Sequence, residues 1–137
     1  MTSIAISAAP AKTRRTSASK VGIALTAIPV LFLAFDVAIK FTTGAPVAES
    51  MNQLGYPMHL AKTIAIIELV CLALYLIPRT SVLGALLFTG YLGGAIATHV
   101  RVENPLFSHI LFPIYVAALL WGGLYLRDAR VRALLGR

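Results

Sequence analysis

The sequence is poor in cysteine and in charged residues. Cys71 is the single cysteine among 137 residues, so the chain can form neither an intramolecular disulfide nor a Cys-x-x-Cys redox pair. Charged residues make up 12% of the chain and hydrophobic residues 58%, whereas the apolar share of soluble domains is about 45–50%. This composition excludes an ordinary soluble globule of this length and indicates a membrane protein.

Acidic residues are also scarce, with five Asp and Glu against twelve Lys and Arg and a formal net charge of +7. Nucleic-acid binding would need these basic groups on one folded face. Instead, they flank the apolar part of the chain on both sides: Lys12, Arg14, Arg15 and Lys20 before it, and Arg127, Arg130, Arg132 and Arg137 after it. Such flanks are typical of the cytoplasmic side of a membrane protein. We therefore expect no binding to nucleic acid.

Apolar runs in the sequence approach the roughly 20 residues that are needed to cross a bilayer. The four runs cover residues 21–40, 60–77, 82–100 and 109–126. The sequence therefore predicts an all-α fold, an integral membrane four-helix bundle. Residues 1–20 are expected to form a disordered basic tail, with a cleaved signal peptide as the alternative, and residues 127–137 to form a basic cytoplasmic tail.

The distribution of Lys and Arg predicts the orientation of the bundle. One side of the membrane would hold nine of them, in the two tails and at Arg79, and the other side three, namely Lys40, Lys62 and Arg101. The positive-inside rule then places both termini in the cytoplasm. The expected location is a bacterial-type inner membrane, with the lipid bilayer as the main partner.

The first outer loop, FTTGAPVAESMNQLGYPMH, has the features of a short helix. Pro46 suits a first helical turn and Gly55 a helix end. An apolar stripe is formed by Val47, Met51 and Leu54. We expect this helix to lie at the membrane interface and, together with RVENPLFS, to roof the bundle.

Small residues recur four positions apart in the last two runs, at Gly90 and Gly94, Gly93 and Ala97, and Ala118 and Gly122. This spacing favours close approach of neighbouring helices. The alternative is that the glycines leave room for a ligand. Glycine stripes that face lipid would also permit a homo-oligomer.

Polar residues from all four runs fall in the same outer half of the predicted membrane. An ionisable group at the bilayer centre costs at least about 2.5 kcal/mol, so each requires a partner, a cavity or a function. At about 1.5 Å per residue, Asp36 lies about 6 Å deep and Glu68 about 12 Å deep. The pattern predicts an outward-opening pocket, lined by Asp36, Glu68, Tyr91, His99, Tyr115 and His109.

The residue types in this pocket suggest proton chemistry. Glu68 has no cation three or four positions away in its own helix, so it must be neutral or paired across helices. We interpret Glu68 and His99 as a candidate proton relay, with Asp36 as a third catalytic candidate. An ion pair between Asp36 and Lys40, four residues apart, is the alternative for Asp36. The candidate ligand-binding residues are Tyr91, Tyr115, His109, Arg101 and Lys40.

Two long segments carry a family resemblance: GYPMHLAKTIAIIELVCLALYLIPRTSVLGALLFTGYLGGAIATHVR and PLFSHILFPIYVAALLWGGLYLRD. Residues 77–81, 90–95 and 98–101 within them are more specific than hydropathy alone. Over residues 35–132 the chain resembles the DoxX-like family of small four-helix membrane proteins. The polar positions that match are Lys40, Lys62, Glu68, Tyr91, His99, Arg101 and His109.

The resemblance implies a link to redox chemistry, because the family is named after a subunit associated with a thiosulfate:quinone oxidoreductase. It makes none of the matching residues an established catalytic group. We expect a redox-linked subunit that binds a quinone, has no intrinsic cofactor and receives electrons from a redox partner protein. A metal or haem between His99 and His109 is not expected, because a ligand spacing such as H-E-x-x-H is absent. The alternatives are a membrane acid–base enzyme acting on a lipophilic substrate and a non-catalytic structural subunit.

Overall fold

A computed structural model describes residues 17–136, and the regular elements in this range are all helices. They are α1 (Ser17–Thr42), α2 (Ala45–Gln53), α3 (Leu60–Leu76), α4 (Ser81–Arg101), a π-helical turn (Leu106–Ile110), α5 (Phe112–Arg127) and α6 (Ala129–Leu134). The prediction of an all-α fold is confirmed for this part of the chain.

Within residues 17–136, three helical segments are long and apolar enough to cross a membrane: Ser17–Thr42, Ser81–Arg101 and Leu106–Arg127. The remaining predicted span, residues 60–77, corresponds to α3, which has 17 residues and a length of about 26 Å. Two predicted boundaries need correction. Helix α1 includes residues 17–20, which were assigned to the tail, while residues 1–16 of that tail lie outside the described range. Helix α5 begins at Phe112, so His109 belongs to the π-helical turn.

The four longer helices form a ring, in which α1 contacts α3 and α5, and α4 contacts α3 and α5. The turn at residues 77–80 joins α3 to α4, which pack together as an antiparallel pair. We call one end of the ring the α6 end: it contains the start of α1, this turn and α6. The opposite end, with α2, the start of α3 and the end of α4, is the α2 end.

Glycines allow close helix contacts at the α6 end. A Cβ built on Gly84 of α4 would overlap the backbone N and Cα of Tyr75 in α3. A Cβ on Gly22 of α1 would lie 2.8 Å from Cβ of Leu126 in α5, and Gly123 of α5 is equally tight against α1. Such contacts leave no space for even a methyl group.

The glycines that were predicted to bring helices together do not do so. Within the described residues, a Cβ built on Gly90, Gly93, Gly94 or Gly122 would have no heavy atom within 4 Å. The prediction of close approach through the four-residue spacing in α4 was therefore wrong. The physical reason is that these glycines face open space, while the helix contacts fall one and a half turns or more away, at Gly84.

Tyr75 fills the interior next to these contacts and is fully buried. Its hydroxyl donates to the carbonyl oxygen of Leu120 in α5 at 2.7 Å and lies 3.5 Å from Oγ1 of Thr26 in α1. The guanidinium of Arg127 lies over the Tyr75 ring, 5.1 Å from its centre. One side chain thus connects three helices at the α6 end.

The C-terminal tail folds back on this end. Asp128 caps α6 by accepting a hydrogen bond from the backbone N–H of Arg130 at 2.9 Å, and Val131 is 1% exposed. The Arg130 side chain donates to the carbonyl oxygen of Pro78, in the turn between α3 and α4. The tail is therefore anchored to the ring by both apolar and polar contacts.

The predicted short helix in the first loop is α2. Pro46 lies in its first turn, and Gly55 follows its end with a positive φ of 70°, a conformation that favours glycine. Val47 and Met51 are each 6% exposed, since they pack on Ala61 at the start of α3. This apolar stripe holds α2 across the end of the ring.

Candidate functional site

A four-residue polar network lies inside the ring, near the α2 end, and Lys40 is at its centre. The Nζ atom of Lys40 lies 2.5 Å from Oδ2 of Asp36, one helical turn earlier in α1. The same atom lies 2.6 Å from Oε2 of Glu68 in α3 and donates to the Tyr91 hydroxyl in α4 at 3.1 Å. The ion pair expected between Asp36 and Lys40 is present, and it extends across two further helices.

Glu68 is the most deeply buried member of the network, with 0% of its side chain exposed. Besides the Lys40 ammonium, the Tyr91 hydroxyl donates to Oε2, at 2.8 Å. The other oxygen, Oε1, is buried and has no hydrogen-bond partner among the described residues. Of the two expectations for Glu68, that it is neutral or that it is paired across helices, the structure shows pairing. Oε2 contacts Lys40 of α1 and Tyr91 of α4, and Oε1 has no partner among the described residues.

The charges of this network do not cancel when both carboxyls are ionised. Asp36 and Glu68 would carry two negative charges and Lys40 one positive charge. An uncompensated charge is costly away from water. The network is therefore suited to take up a proton or to bind a hydrogen-bond donor.

A cavity of about 610 Å³ opens onto this network. It is lined by residues of all four ring helices and of α2, and most of the lining is apolar. Among the polar residues, Asp36, Lys40, Glu68, Tyr91 and His99 share its wall. Pockets for small molecules have volumes of about 300–1,000 Å³ and combine apolar walls with a few polar groups. This cavity has both properties.

Two glycines of α4 form part of the cavity wall. Gly90 and Gly94 are one helical turn apart and both line the cavity, and a Cβ on either would meet no heavy atom of the described residues within 4 Å. The alternative interpretation of the glycine spacing, that it leaves room for a ligand, is the one that fits this geometry.

The loop helix closes the cavity on one side. Pro46, Val47 and Met51 of α2 line it, as does Tyr56, whose hydroxyl lies 2.8 Å from Oγ1 of Thr98 in α4. Residues 101–108, which were expected to form the other half of the roof, do not line the cavity. They turn away from it because α4 ends at Arg101 and the chain passes into the π-helical turn.

The two histidines lie together, but only one of them reaches the cavity. The rings of His99 and His109 are 5.5 Å apart and nearly perpendicular. His99 lines the cavity, and its Nδ1 lies 2.8 Å from the amide nitrogen of Asn104. His109 is exposed, with its Nδ1 2.8 Å from the hydroxyl of Ser108. Among residues 17–136, no group of three or more His, Cys, Asp or Glu could hold a metal ion.

Besides His109, two further predicted ligand-binding residues lie outside the cavity wall. Tyr115 is 47% exposed and does not line the cavity. Arg101 donates to the carbonyl oxygen of Leu54 and lies over the ring of Tyr56, 5.6 Å from its centre. In this position Arg101 ties the end of α2 to α4.

Sequence reasoning missed two aromatic residues of the wall, Phe32 and Phe112. Their rings are 5.2 Å apart in an edge-to-face arrangement, which joins α1 to α5 beside the cavity. Both residues are apolar residues of apolar helices, and no spacing in the sequence distinguishes them from lipid-facing side chains. Tyr56 was also missed, although a tyrosine directly after a helix-ending glycine is a signal that could have been used.

Comparison with known proteins identifies one family. The model of the DoxX-like family matches residues 24–123, which cover most of the chain. No curated protein and no solved structure matches it. Together with the three apolar helices, the match identifies a membrane protein. The chain belongs to the DoxX-like family.

Proposed function

We propose that this DoxX-like protein is a redox-linked membrane subunit that binds the headgroup of a quinone, or of a similar lipophilic molecule, in the cavity at the α2 end. The observation that carries the proposal is the junction of an apolar cavity of about 610 Å³ with a buried network of two carboxyls, an ammonium and a phenol. An apolar ligand with a polar head matches both parts of this site.

The proposed membrane arrangement has α3 as the fourth spanning helix. Its support is the apolar outer surface of the ring, to which α3 contributes Ile66 and Val70, each at least 50% exposed. Such a face is costly in water and favourable in lipid. Because the Lys and Arg residues that the structure describes are concentrated at the α6 end, the proposed orientation has both termini in the cytoplasm of a bacterial-type inner membrane. Helix α2 then lies at the outer interface.

The proton chemistry falls to the polar network. Reduction of a quinone takes up two protons with two electrons, and Glu68, Tyr91 and Lys40 form a hydrogen-bonded set next to the cavity. His99, on the same wall, has an imidazole ring that can accept and donate a proton. We assign Glu68 and His99 to proton transfer and Lys40 and Tyr91 to the orientation of Glu68. Electrons come from a partner protein, since the sequence has a single cysteine and no nucleotide-binding fingerprint.

An acid–base enzyme is the second candidate, and the network itself favours it. Asp36 and Glu68 both contact the ammonium group of Lys40. When one carboxylate takes a proton from a substrate, the network would retain one negative and one positive charge, which cancel. This enzyme would convert a lipophilic substrate without electron transfer. It would use the same cavity, so a turnover assay, and not a binding assay, separates the two candidates.

The test is a cavity-filling substitution with a matched control on the same helix. Gly94 lines the cavity and Gly93 does not, yet both have open space where a side chain would go. Gly94→Leu should therefore fill the site without disturbing the fold, whereas Gly93→Leu should leave the site open. Binding is measured by equilibrium dialysis of decylubiquinone against the purified protein in detergent, beside extraction and mass spectrometry of copurified lipids.

We expect Gly94→Leu to weaken binding by about a hundredfold, the effect of removing about 2.7 kcal/mol, and Gly93→Leu to bind as the unmodified chain does. Equal binding by all three proteins would place the ligand elsewhere and refute the cavity as its site. If the unmodified chain binds no quinone-type molecule, the redox-linked function fails and the structural subunit becomes the better account.

A further inference from the structure

The polar network has a surplus of hydrogen-bond acceptors where it meets the cavity. The three N–H groups of the Lys40 ammonium are directed to Asp36, Glu68 and Tyr91. The single O–H of Tyr91 is directed to Oε2 of Glu68. Each donor of these two residues is therefore already engaged, while Oε1 of the fully buried Glu68 has no partner among the described residues.

The geometry around Oε2 fits an ionised carboxyl. Two donors, the ammonium of Lys40 at 2.6 Å and the hydroxyl of Tyr91 at 2.8 Å, converge on this one oxygen. An ionised carboxylate is an acceptor on both oxygens, and charge-assisted bonds of this kind are stronger than neutral ones. Oε1 is then an acceptor without a donor among the described residues, on a residue that lines the cavity.

We propose that the occupant presents a hydroxyl group to Oε1 of Glu68, and that the site therefore prefers the reduced, hydroxyl-bearing form of its ligand, the quinol, to the quinone. This inference rests on the proposed function and deepens it. A quinone carries only carbonyl acceptors, and a carbonyl oxygen placed against a buried carboxylate leaves both groups unsatisfied. A quinol satisfies Oε1 and loses nothing elsewhere in the network.

The experiment compares the two redox forms of one probe. Decylubiquinone and decylubiquinol are dialysed against the purified full-length protein in detergent, under argon. Both forms are then quantified by chromatography in the two compartments of the dialysis cell. We expect the quinol to bind at least about tenfold more tightly, the effect of one satisfied hydrogen bond to a charged group. By linkage, a tenfold preference raises the two-electron midpoint potential of the bound probe by about 30 mV.

Glu68→Gln supplies the decisive variant, because an amide has an N–H₂ group that can donate to a carbonyl. We expect this variant to bind the quinol and the quinone with about equal affinity, or to bind the quinone more tightly, since one hydrogen bond accounts for the whole difference. Glu49→Gln is the matched control: Glu49 is an exposed residue of α2, 3.4 Å from Gln53, and its amide should leave the preference unchanged.

A second probe keeps the test valid if Glu68→Gln does not fold. The dimethyl ether of decylubiquinol keeps the ring and the tail of the quinol but has methoxy groups in place of both hydroxyls, and it should bind at least about tenfold more weakly than the quinol. Equal binding of quinol and ether, or tighter binding of quinone than of quinol, overturns the inference. Either result leaves the proposed function intact as long as Gly94→Leu weakens binding and Gly93→Leu does not. Absence of binding by every form overturns both.

Discussion

At the α6 end, Gly84 of α4 packs against the backbone of Tyr75 so closely that a methyl group would not fit. At the α2 end, Gly94 of the same helix faces a cavity and could carry a side chain without any contact within 4 Å among the described residues. The polar groups differ in the same way. The buried hydroxyl of Tyr75 reaches a carbonyl oxygen, whereas the buried Oε1 of Glu68 reaches nothing in the described part of the chain.

This difference separates two roles of the molecule. Dense packing and satisfied hydrogen bonds at the α6 end stabilise the ring. Where no water is available, helices associate through close packing, and buried polar groups need hydrogen-bond partners within the protein. Open space and an unsatisfied acceptor at the α2 end lower stability and leave capacity for a ligand. Substitutions at the two ends should therefore affect different properties.

The largest effect should come from Lys40→Met, which removes the only cation from the Lys40, Asp36, Glu68 and Tyr91 network. Glu68 would remain buried without its ion-pair partner, and breaking a buried pair in this way costs about 3–5 kcal/mol. We expect a loss of this size in the free energy of unfolding, measured by circular dichroism during titration of the detergent-solubilised protein with dodecyl sulfate.

Lys62→Met is the control for this experiment, because Lys62 is an exposed lysine at the same end. The double variant Lys40→Met with Glu68→Leu should recover most of the lost stability, since it removes the stranded carboxyl as well. If Lys40→Met costs no more than Lys62→Met, the network does not contribute to the fold and the contrast between the two ends is weaker than described.

An intermediate effect should distinguish Gly84→Ala from Gly94→Ala, two identical substitutions in one helix. Gly84→Ala forces α3 and α4 apart, which costs about 1–3 kcal/mol. Gly94→Ala meets no neighbour and should be neutral or stabilising by up to about 1 kcal/mol, the gain in helix propensity. Thermal unfolding in detergent measures both. Equal melting temperatures for the two variants would contradict the assignment of packing to one end and open space to the other.

The smallest effect should appear at the C-terminal tail and should depend on pH. Hydrogen bonds from the Arg130 side chain lower the pKa of the Asp128 carboxyl below its ordinary value. Because the folded-state pKa is the lower one, the stabilisation is complete above the unfolded value of about 3.9 and is lost as the pH falls through the folded value.

Asp128→Ala should therefore destabilise the docking of α6 by about 1 kcal/mol at pH 7, mainly through loss of the helix cap. Hydrogen exchange of α6 amides, followed from pH 7 downward, measures this docking. The variant and the unmodified chain should differ at pH 7, and the difference should shrink as the pH falls below about 3.9 toward the lowered pKa of Asp128. A difference that stays constant throughout would show that the ionised carboxyl is not the stabilising group.

Much of the fold was predictable because hydropathy and loop chemistry act locally. The helix-turn-helix formed by α3 and α4, the position of Pro46 in α2 and the helix-ending Gly55 follow from short stretches of sequence. The start of α1 was not predictable in the same way. Small polar residues before Val21 continue the helix, although their composition suggested a tail.

The site was predictable in part of its members but not in its connections. Asp36, Glu68, Tyr91 and His99 were assigned to the same outer half of the membrane, and they share one cavity wall. Depth follows from position along a helix, but the direction of a side chain depends on how helices pack. For this reason Tyr115, at a similar depth, faces outward, while Lys40, expected at the membrane surface or in a pair with Asp36, turns inward to Glu68.

Helix α4 contributes to several sides of the cavity. Tyr91 lies at its base and Gly90 and Gly94 line one wall. Thr98 and Arg101 contact Tyr56 and Leu54 at the α2 end. Parts fixed to one rigid rod keep their spacing when that rod tilts. A tilt of α4 would therefore move Tyr91, the two glycines and the contacts to Tyr56 and Leu54 as one unit, and a ligand pressing on Gly90 and Gly94 would also displace the segment that follows α2.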